Sequence, residues 1–425
     1  MKRILTLEPG FPPELASGRL YFEFAREMTK LGHNVLVITV FPRKYLLNKE
    51  EGYSVHMKAK RKFFYFELMN NFVVMRVKPQ FSSNSLFSRI LEQILVPISL
   101  LVGGLLVGMT FSKRDTVIHC TIPPLFIGFS ACLIGKLLRA PVIVRVQDVH
   151  PDALVKLGLL KNRILVRLLE LIEKFIYLCV DYITVIGETY REHIISRGVS
   201  PSKVILIPNW ADISKISQVA DLKFQKEMKL ERRFIITYAG TISWPQDLET
   251  VIKAADILRR YENIVFLIVG EGIKKKLLVE LSKKLNLNNV IFLPLQPREK
   301  YFGILKSSNV CLVSLKKTFR SPSVPSKILD IMACAKPIIA NIPLYGDAPK
   351  ILEEAKCGLV VEPENPYLLA QAILLLYNNP ALAEEMGKNG LHFLKKNFSL
   401  STCITKYEEI ITKVANNRLK SSISN

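Results

Sequence analysis

Short apolar runs alternate with longer amphipathic segments along most of this chain, and that alternation limits its fold more than any other feature. In the N-terminal half the runs Arg3–Leu7, His33–Val40 and Pro141–Val146 are separated by segments with helical spacing. In the C-terminal half the runs Phe234–Ala239 and Val265–Val269 repeat the pattern. Because strands that alternate with helices build parallel sheets covered on both faces, the sequence predicts an α/β fold.

The length of the chain predicts more than one domain. At 425 residues it exceeds what a single core usually supports, and two domains of roughly 200 residues each are expected. Hydrophobic residues make up 49% of the sequence, which is enough to fill two such cores. We predict a first domain over 1–212, a second over 213–398, and a crossover helix and tail over 399–425. A polar interdomain linker is expected at Ser214–Arg233.

Charge and cysteine content narrow the classes of partner. The net charge of +22 points to polyanions, which include nucleic acid, an anionic membrane surface and phosphate-rich substrates. No segment matches a recognised nucleic-acid module, so we predict no nucleic-acid partner. The 7 cysteines show neither paired spacing nor a metal-ligand pattern with histidine. That usage favours the reducing cytoplasm and predicts no metal site.

The stretch Ser323–Ala340 reads Ser-Val-Pro-Ser-Lys-Ile-Leu-Asp-Ile-Met-Ala-Cys-Ala-Lys-Pro-Ile-Ile-Ala. Its apolar spacing predicts a short helix buried on one side and then a buried strand. Ser323 or Ser326 is expected to cap the helix, so that its free amides and Lys327 face outward and suit a phosphate. Asp330, one turn further on the same face, suits the hydroxyls of a ribose. An ordinary capped helix before a core strand has the same pattern, and the residues alone leave both interpretations open.

Polar and glycine positions at strand ends mark a second group of candidates. Gly18 precedes the first predicted helix, either as a plain loop glycine or because the backbone there approaches a phosphate. Asp148 and His150 follow the buried strand Pro141–Val146. Since the carboxyl ends of parallel strands face the ligand, these two side chains are acid/base candidates. A capping aspartate beside a surface histidine would produce the same pattern.

Two apolar segments raise the question of a membrane. Ile94–Phe111 carries no charge and, at ~1.5 Å per residue, spans roughly 27 Å as a helix. It suits a membrane span, a buried core helix or a helix that lies in the membrane interface. Leu159–Leu178 is amphipathic and basic, and suits either contact with anionic lipid or packing on its own domain. Lys58–Lys62, followed by four aromatic residues, suits the same bilayer surface, single-stranded nucleic acid or a solvated loop.

The motif Pro-Ser-Lys, then an acidic residue, Met-Ala and Lys-Pro, resembles the donor-site helix of the retaining GT-B glycosyltransferases of family 4. The similarity is to the branch that builds colanic acid, capsule and O-antigen polysaccharides, and it extends along most of the chain. The turn Gln147–Asp152 resembles the family's Asp-Leu-Trp-Pro, with His150 in the place of tryptophan. Pro208–Asp212 resembles its Pro-Asn-Gly-x-Asp, with Trp210 in the place of glycine.

This resemblance implies a GT-B fold, in which two Rossmann-like domains with parallel sheets face each other across a cleft. It also implies transfer of a sugar, with retention and without a metal or other cofactor. The donor would be a nucleotide-diphosphate-sugar, and the acceptor a saccharide or a lipid-linked saccharide. The enzyme would act in cell-surface polysaccharide biosynthesis, as a cytoplasmic protein held peripherally on the anionic inner face of the cell membrane.

The site residues expected from the strand ends and from the resemblance together fall into two sets. Those expected to take part in catalysis are Asp148, His150 and Lys327. Those expected to bind substrate are Gly18, Arg19, Gly240, Thr241, Gly270, Glu271, Gly272, Arg320, Ser323, Val324, Pro325, Ser326, Lys327 and Asp330.

Three positions depart from the family pattern and remove charge from the expected donor site. Thr241 stands where the family has arginine, Gln246 where it has lysine, and Pro322 where it has the first of two glutamates. We expect Lys327, together with Arg320, to supply the missing positive charge. Two alternatives remain open: a non-catalytic membrane partner with a degraded donor site, and a nucleotide-sugar epimerase on the same fold.

Overall fold

The computed structural model describes residues 1–14, 18–43, 62–81, 85–108, 115–149, 151–152, 155, 160, 162–213, 216, 218, 223–318 and 324–423. The chain divides into two compact units. Unit 1 comprises Met1–Pro208 and Ile404–Asn425, and unit 2 comprises Asn209–Cys403. The prediction of a polar linker at Ser214–Arg233 is wrong in the part that the structure describes, because Ile216 and Leu230 are buried in the core of unit 2.

In the described part of unit 1 the sheet has eight strands, in the order β3-β4-β2-β1-β5-β6-β7-β8. The strands are β1 (Arg3–Glu8), β2 (Asn34–Val40), β3 (Phe64–Met69), β4 (Phe72–Val77), β5 (Thr116–Ile122), β6 (Val142–Val146), β7 (Tyr182–Val185) and β8 (Val204–Leu206). Neighbouring strands pair in parallel except for the edge pair β3 and β4. The order reverses between β1 and β5, and ligands of doubly wound sheets bind at such a reversal.

Helices cover both faces of this sheet because its strands are apolar on both sides. They are α1 (Gly18–Lys30), α2 (Leu86–Gly108), α3 (Phe126–Leu138), α4 (Arg163–Cys179) and α5 (Glu188–Ser196), with a 3₁₀ turn at Pro201–Lys203. Strands β1 and β5 are buried along almost their whole length. A sheet buried on both faces gives continuous apolar runs rather than alternation, as the sequence has here.

In the described part of unit 2 a second, six-stranded parallel sheet runs in the order β11-β10-β9-β12-β13-β14. Its strands are β9 (Phe234–Ala239), β10 (Ile264–Val269), β11 (Val290–Leu293), β12 (Val310–Ser314), β13 (Ile338–Asn341) and β14 (Gly358–Val361). Its helices are α6 (Lys223–Glu227), α7 (Leu248–Ile257), α8 (Lys275–Lys284), α9 (Arg298–Ser307), α10 (Ser326–Ala333), α11 (Asp347–Glu354), α12 (Pro366–Asn378) and α13 (Pro380–Asn397). A last helix, α14 (Leu400–Ile423), begins here and continues into unit 1.

The C-terminal part of α14 packs on unit 1 through polar and aromatic contacts. The hydroxyl of Tyr407 lies 3.1 Å from Thr184 Oγ1 in β7, and its ring is 5.0 Å from that of Phe24 in α1. The Glu408 carboxylate lies 2.5 Å from Nε2 of His33. These contacts give the end of the chain a fixed place on the first sheet.

Helix α2 covers, as far as Gly108, the apolar run that the sequence left open between three interpretations, and 109–111 lie outside the described residues. In the described part of the chain it contains the one helix, Phe87–Gly108, with the length and apolar composition to cross a membrane, and 39% of its apolar window is buried. Val96 and Leu100 pack into the core of unit 1, whereas Ile94 and Ile98 are each 51% exposed. The helix therefore combines a core-facing side with an exposed apolar side.

Candidate functional site

Glycines end two neighbouring strands of the second sheet and line its carboxyl edge. Gly240 follows β9 with φ 148° and Gly270 follows β10 with φ 147°, both in the region that favours glycine. A Cβ on Gly270 would overlap the carbonyl oxygen of Gly240. The two turns are joined by backbone hydrogen bonds, in which Gly240 N donates to the Val269 carbonyl at 2.9 Å and Ile242 N to the Glu271 carbonyl at 2.9 Å. The two glycines therefore bring the main chains of these two turns into close contact at the edge.

Lys327 lies over this glycine edge. Its Nζ is 2.8 Å from the place where a Cβ on Gly240 would stand, and 4.0 Å from the centroid of the Tyr238 ring. Burial lowers the pKa of Lys327 to about 7. No carboxylate of the described residues lies within ion-pair distance of this amino group. An amino group on a half-buried side chain, with no carboxylate of the described residues beside it, suits an anionic ligand.

The start of α10 differs from the sequence prediction. The helix begins at Ser326 and its cap position is Pro325, and no side chain caps it. Capping by Ser326 is therefore wrong, because the fixed φ of Pro325 brings the chain into the helix one residue earlier and makes exposed Ser326 its first residue. Half-buried Val324 packs against the core of unit 2. Among the described residues no side chain caps the amides of the first turn, and uncapped amides suit an anion.

Asp330 is already engaged by two side chains of α9. The hydroxyl of Tyr301 donates to Asp330 Oδ2 at 3.3 Å, and Arg298 Nη2 lies 3.8 Å from Oδ1. Burial and the charge of Asp330 raise the pKa of Tyr301 well above its ordinary value. The guanidinium of Arg298 also stacks over the Phe302 ring, 4.9 Å from its centroid. Any ribose hydroxyl bound by Asp330 would therefore share the carboxylate with these groups.

The loop after β9 shows what replaces the cations of the family pattern. Thr241 is exposed, and its carbonyl oxygen accepts a hydrogen bond of 2.6 Å from the Tyr238 hydroxyl. The Gln246 amide oxygen accepts from both the backbone N and the Oγ of Ser243, each at 3.1 Å. Gln246 thus holds the loop after β9 in place through these two hydrogen bonds to Ser243. On the neighbouring turn, the exposed Glu271 pairs with Lys275 at 2.7 Å.

Asp148 lies in unit 1, where it lines a cavity of about 510 Å³. Its Oδ1 accepts from the backbone N of Val149 at 3.0 Å and lies 3.5 Å from the Tyr190 hydroxyl. The cavity opens at the carboxyl ends of β1, β5 and β6, and Gln147 and the α2 residue Gln93 also line it. This is the point at which the strand order of the first sheet reverses.

A buried ion cluster forms one wall of this cavity. Arg43 Nη1 lies 2.9 Å from Glu14 Oε2, and Arg43 Nε lies 3.0 Å from Glu92 Oε2 on α2. Arg43 Nη2 donates to the Pro9 carbonyl at 3.1 Å. Burial raises the pKa of Glu14 and outweighs the lowering effect of Arg43. The cluster places two carboxylates around one guanidinium.

Gly18 and Arg19 begin α1 in the same unit. A Cβ on Gly18 would stand 2.7 Å from Pro12 N and 2.8 Å from Phe11 C, so the small size of Gly18 accommodates the chain's own loop. The space beside its α-carbon is therefore filled by that loop, and the approach of a phosphate to Gly18 stays a prediction. Arg19 Nη1 lies 3.7 Å from Glu23 Oε1, one turn further along the helix.

Three predicted residues, His150, Arg320 and Ser323, lie outside the described residues, as does Pro322. Of the others, Gly240, Gly270, Gly272 and Lys327 come together at the edge of unit 2, whereas Asp148, Gly18 and Arg19 belong to unit 1. Among the described residues, no three His, Cys, Asp or Glu side chains are grouped as metal ligands.

Comparison with known proteins decides the family. The family model described as glycosyl transferases group 1 matches residues 219–393. The family model described as a glycosyl transferase 4-like domain matches residues 19–210. The chain is 31% identical over 291 residues to the Escherichia coli K12 protein named as a colanic acid biosynthesis glycosyl transferase, WcaI, covering 66% of this chain and 71% of that one. The chain belongs to the group 1 glycosyl transferases.

Other members and solved structures agree with this assignment. A Pseudomonas aeruginosa protein named as glycosyltransferase WbjE is 28% identical and covers 69% of this chain and 73% of its own. A glycosyltransferase from Rickettsia africae superposes with a TM-score of 0.68 at 18% identity, over 98% of this chain and 99% of that one. Anabaena HepE, solved in complex with UDP, superposes with a TM-score of 0.68 at 14% identity, over 97% of this chain and 100% of that one. The predicted α/β GT-B fold is confirmed.

Sequence reasoning missed several residues of this glycosyl transferase. One is Tyr238, whose ring lies beside the Lys327 amino group. Its place as a bulky aromatic residue two positions before a strand-ending glycine is the sequence feature that could have identified it. Lys274 is buried, pairs with Glu249 and lies 5.1 Å from the Trp244 ring centroid. Burial and the nearby charge of Lys316 lower the pKa of Lys274 to about 8. In the sequence, Glu92 and Gln93 are marked only as two polar residues near the start of an otherwise apolar helix.

Proposed function

We propose that this glycosyl transferase moves a sugar from a nucleotide-diphosphate-sugar to a lipid-linked saccharide, with retention and without a bound metal. The product would be a cell-surface polysaccharide or its precursor. The observation that carries the proposal is Lys327, whose amino group stands against the glycine edge of unit 2. An anion that reaches this edge meets the Lys327 amino group and the first-turn amides of α10, and such groups suit a diphosphate.

The chemistry requires charge stabilisation where the leaving group forms. The bond between the anomeric carbon and the diphosphate oxygen breaks and its electron pair stays on the diphosphate. The acceptor hydroxyl oxygen bonds to that carbon, and its proton passes to the departing diphosphate oxygen. Lys327 in its ammonium form and the uncapped amides of α10 would stabilise the negative charge that develops. Asp330 would hold the ribose, and Asp148 would orient the acceptor or the sugar.

A nucleotide titration of two variants tests the donor assignment. Lys327→Ala is expected to weaken binding of UDP or GDP roughly tenfold to 100-fold, since a charge-assisted hydrogen bond is lost. Isothermal titration calorimetry measures the change, and Lys253→Ala, which removes an exposed lysine of α7 in the same unit, serves as the matched control. Unchanged nucleotide affinity in Lys327→Ala would remove the phosphate assignment.

The same preparations separate the alternatives from the proposed function. Wild-type protein that binds neither nucleotide would be a non-catalytic member with a degraded donor site. Turnover of a nucleotide-sugar in the absence of acceptor, without release of nucleotide, would indicate an epimerase. A screen of nucleotide-sugars that detects released nucleotide in the presence of acceptor supports transfer, and anomeric proton couplings of the product report retention.

The position at a membrane is proposed from three neighbouring helices of unit 1. Their exposed apolar side chains form what we call the three-helix face. Its members are Phe87, Ile90, Ile94, Ile98, Val102 and Leu106 of α2, Phe129 and Leu137 of α3, and Ile164, Leu165, Leu168, Leu171, Phe175 and Leu178 of α4. The helices are adjacent, because Ser130 Oγ donates to the Pro97 carbonyl at 2.9 Å and the rings of Phe129 and Phe175 are 6.2 Å apart.

Charge on the same helices suits an anionic bilayer. Arg89, Arg163, Arg167 and Lys174 are exposed on α2 and α4. Apolar side chains bordered by basic residues are typical of helices that lie in the membrane interface, and an exposed apolar surface of this extent marks an interaction site. We therefore propose that the protein rests peripherally on the inner face of the cell membrane.

Co-sedimentation with vesicles tests this position. Wild-type protein is expected to bind phosphatidylglycerol-containing vesicles and to bind pure phosphatidylcholine weakly. Leu171→Glu should lose most of the binding, because it places a charge where the side chain is 65% exposed on the three-helix face. Tyr367→Asp, at a 70% exposed position of unit 2, is the control that should bind as the wild type does. Protein that stays in the supernatant with anionic vesicles present would contradict the proposal.

A further inference from the structure

One face of helix α5 contacts the turn after β6, which carries Asp148. Tyr190, His193 and Arg197 are spaced i, i+3 and i+7, so they lie on one side of the helix and of the residue that ends it. The Tyr190 hydroxyl lies 3.5 Å from Asp148 Oδ1. Further along, Arg197 Nη2 donates to Asp152 Oδ1 at 3.3 Å, and His193 Nδ1 lies 3.6 Å from Asp152 Oδ2. One helix face thus contacts this turn at two points.

Helix α4 contacts the same guanidinium from its buried side. Arg197 Nη2 lies 3.1 Å from Glu170 Oε1, and Arg197 Nε lies 3.9 Å from Glu173 Oε2. The Glu173 side chain is fully buried, and its Oε1 accepts a hydrogen bond of 3.0 Å from the Tyr177 hydroxyl. A guanidinium presents its donors in a fixed planar fork and can bond to more than one carboxylate. Arg197 therefore joins three elements: the turn after β6, α4 and α5.

The protonation of Glu173 leaves the charge of Arg197 to the turn. Burial raises the pKa of Glu173 to about 8, and the charges of Asp152 and Glu170 act in the same direction. At pH 7 this carboxyl is therefore mostly protonated, and the carboxylates of Asp152 and Glu170 share the guanidinium. An isolated surface ion pair contributes little, but a guanidinium shared by two half-buried carboxylates constrains both of them.

We propose that Arg197 is a positioning residue for sugar transfer, because it joins Asp152 to Glu170 and so fixes the turn of Asp148 against α4. The inference rests on the proposed function, which gives Asp148 its part in the reaction. Arg197 acts through Asp152, four residues after Asp148 in the chain, and not on a substrate. Its side chain is 25% exposed at the end of a helix, so its replacement leaves the core of unit 1 filled.

Hydrogen exchange measured by mass spectrometry tests the turn in the absence of any substrate. In Arg197→Met the peptide that contains residues 147–152 is expected to exchange about fivefold faster, since the bond from Arg197 to Asp152 is lost. Arg197→Lys keeps the charge without the planar fork and should give an intermediate rate. Arg167→Met, at an exposed arginine of α4, is the matched control and should exchange as the wild type does. An unchanged rate in Arg197→Met overturns the inference.

A double variant tests whether the effect passes through Asp152. Asp152→Asn should also raise the exchange rate of this peptide, and the double variant with Arg197→Met should show less than the product of the two single effects. Single effects that multiply in the double variant would show that the two residues act independently, and would overturn the inference. Where circular dichroism shows that Arg197→Met folds poorly, Arg197→Lys and Asp152→Asn decide the same question, and wild-type rates in both overturn it.

Kinetics separate a positioning role from a general loss of stability. With a donor and acceptor found by the nucleotide-sugar screen, Arg197→Met should lower kcat about tenfold and leave the KM for the donor unchanged, since the proposed donor groups belong to unit 2. A wild-type kcat in this variant overturns the inference. Nucleotide titration of the variant should give wild-type affinity. Wild-type protein that binds no nucleotide would defeat the proposed donor function, and the exchange rates would still decide the assignment of Arg197.

Discussion

The carboxyl edges of the two parallel sheets differ in the state of their cations. At the edge of unit 2, Lys327 faces Gly240 and has an aromatic ring but no described carboxylate beside it. At the edge of unit 1, Arg43 lies between the carboxylates of Glu14 and Glu92. Both edges occupy the same place in a doubly wound sheet, so the difference comes from the residues that end the strands.

The difference predicts that the two edges favour different ligands. A buried amino group without a counter-charge favours an anion, because the anion restores the charge balance lost on burial. A guanidinium held by two carboxylates has no such need, and the groups around it suit neutral hydroxyls instead. The fold provides the edge, and the charge pairing of its side chains selects the ligand.

Substitution of Gly270 has the largest expected effect on this contrast. Gly270→Ala places a Cβ against the carbonyl oxygen of Gly240, at a φ of 147° that alanine rarely adopts. Overlap and backbone strain together should lower the free energy of unfolding by about 3 kcal/mol and abolish nucleotide binding. Thermal unfolding and calorimetry measure the two effects.

Gly32→Ala in unit 1 is the matched control for that variant. Gly32 also has a positive φ, 89°, but no atom lies within 4 Å of the place where its Cβ would stand. It should therefore lose only about 1 kcal/mol from backbone strain. Equal losses in the two variants would show that close approach at the edge of unit 2 is not what requires glycine.

The next largest expected effect is a fall in nucleotide affinity as the pH rises. Burial lowers the pKa of Lys327 to about 7 in the free protein, so its amino group loses its proton as the pH rises above that value. A bound diphosphate stabilises the ammonium and raises this pKa, so binding above pH 7 takes up a proton. Affinity for UDP or GDP should therefore fall by up to about tenfold per pH unit above 7.

Calorimetry between pH 7 and pH 9 measures that slope, and Lys327→Arg tests its origin. A guanidinium keeps its charge over this range, so the variant should bind with little pH dependence even if its affinity is lower. A slope that persists in Lys327→Arg would contradict the role given to Lys327.

Much of the fold was predictable because it depends on local pattern. Runs such as Phe234–Ala239 and Val265–Val269 differ by at most a residue from β9 and β10. Where prediction failed, tertiary packing decided the result. The polar stretch after residue 213 looked like a linker, but two apolar residues within it, Ile216 and Leu230, are buried in unit 2.

The site was only partly predictable, for a different reason. Sequence motifs identify residues such as Lys327 and Gly240, but they do not show which partners satisfy a charged group. Gly18 matched a phosphate pattern, yet the loop at Phe11 and Pro12 fills the space beside its α-carbon. Asp330 matched a ribose pattern, yet Tyr301 already hydrogen-bonds to it. Such partners come from elements distant in the sequence, and no local pattern records them.

The smallest expected effect comes from restoring a cation at the loop of unit 2. Gln246→Lys adds a positive charge where the family pattern has lysine, but it loses the hydrogen bonds from Ser243 that close the loop. Gln246→Met loses the same bonds without adding charge, so comparison of the two isolates the cation. We expect the lysine variant to bind UDP or GDP about threefold to tenfold more tightly than the methionine variant, since a charged contact to phosphate is worth ~1–2 kcal/mol against the loop's rearrangement. Calorimetry at pH 7 measures the difference. Equal affinities would mean that Lys327 already supplies all the positive charge that a nucleotide uses at this edge. The contrast with Arg43 of unit 1, whose charge is paired with two carboxylates, would then be sharper.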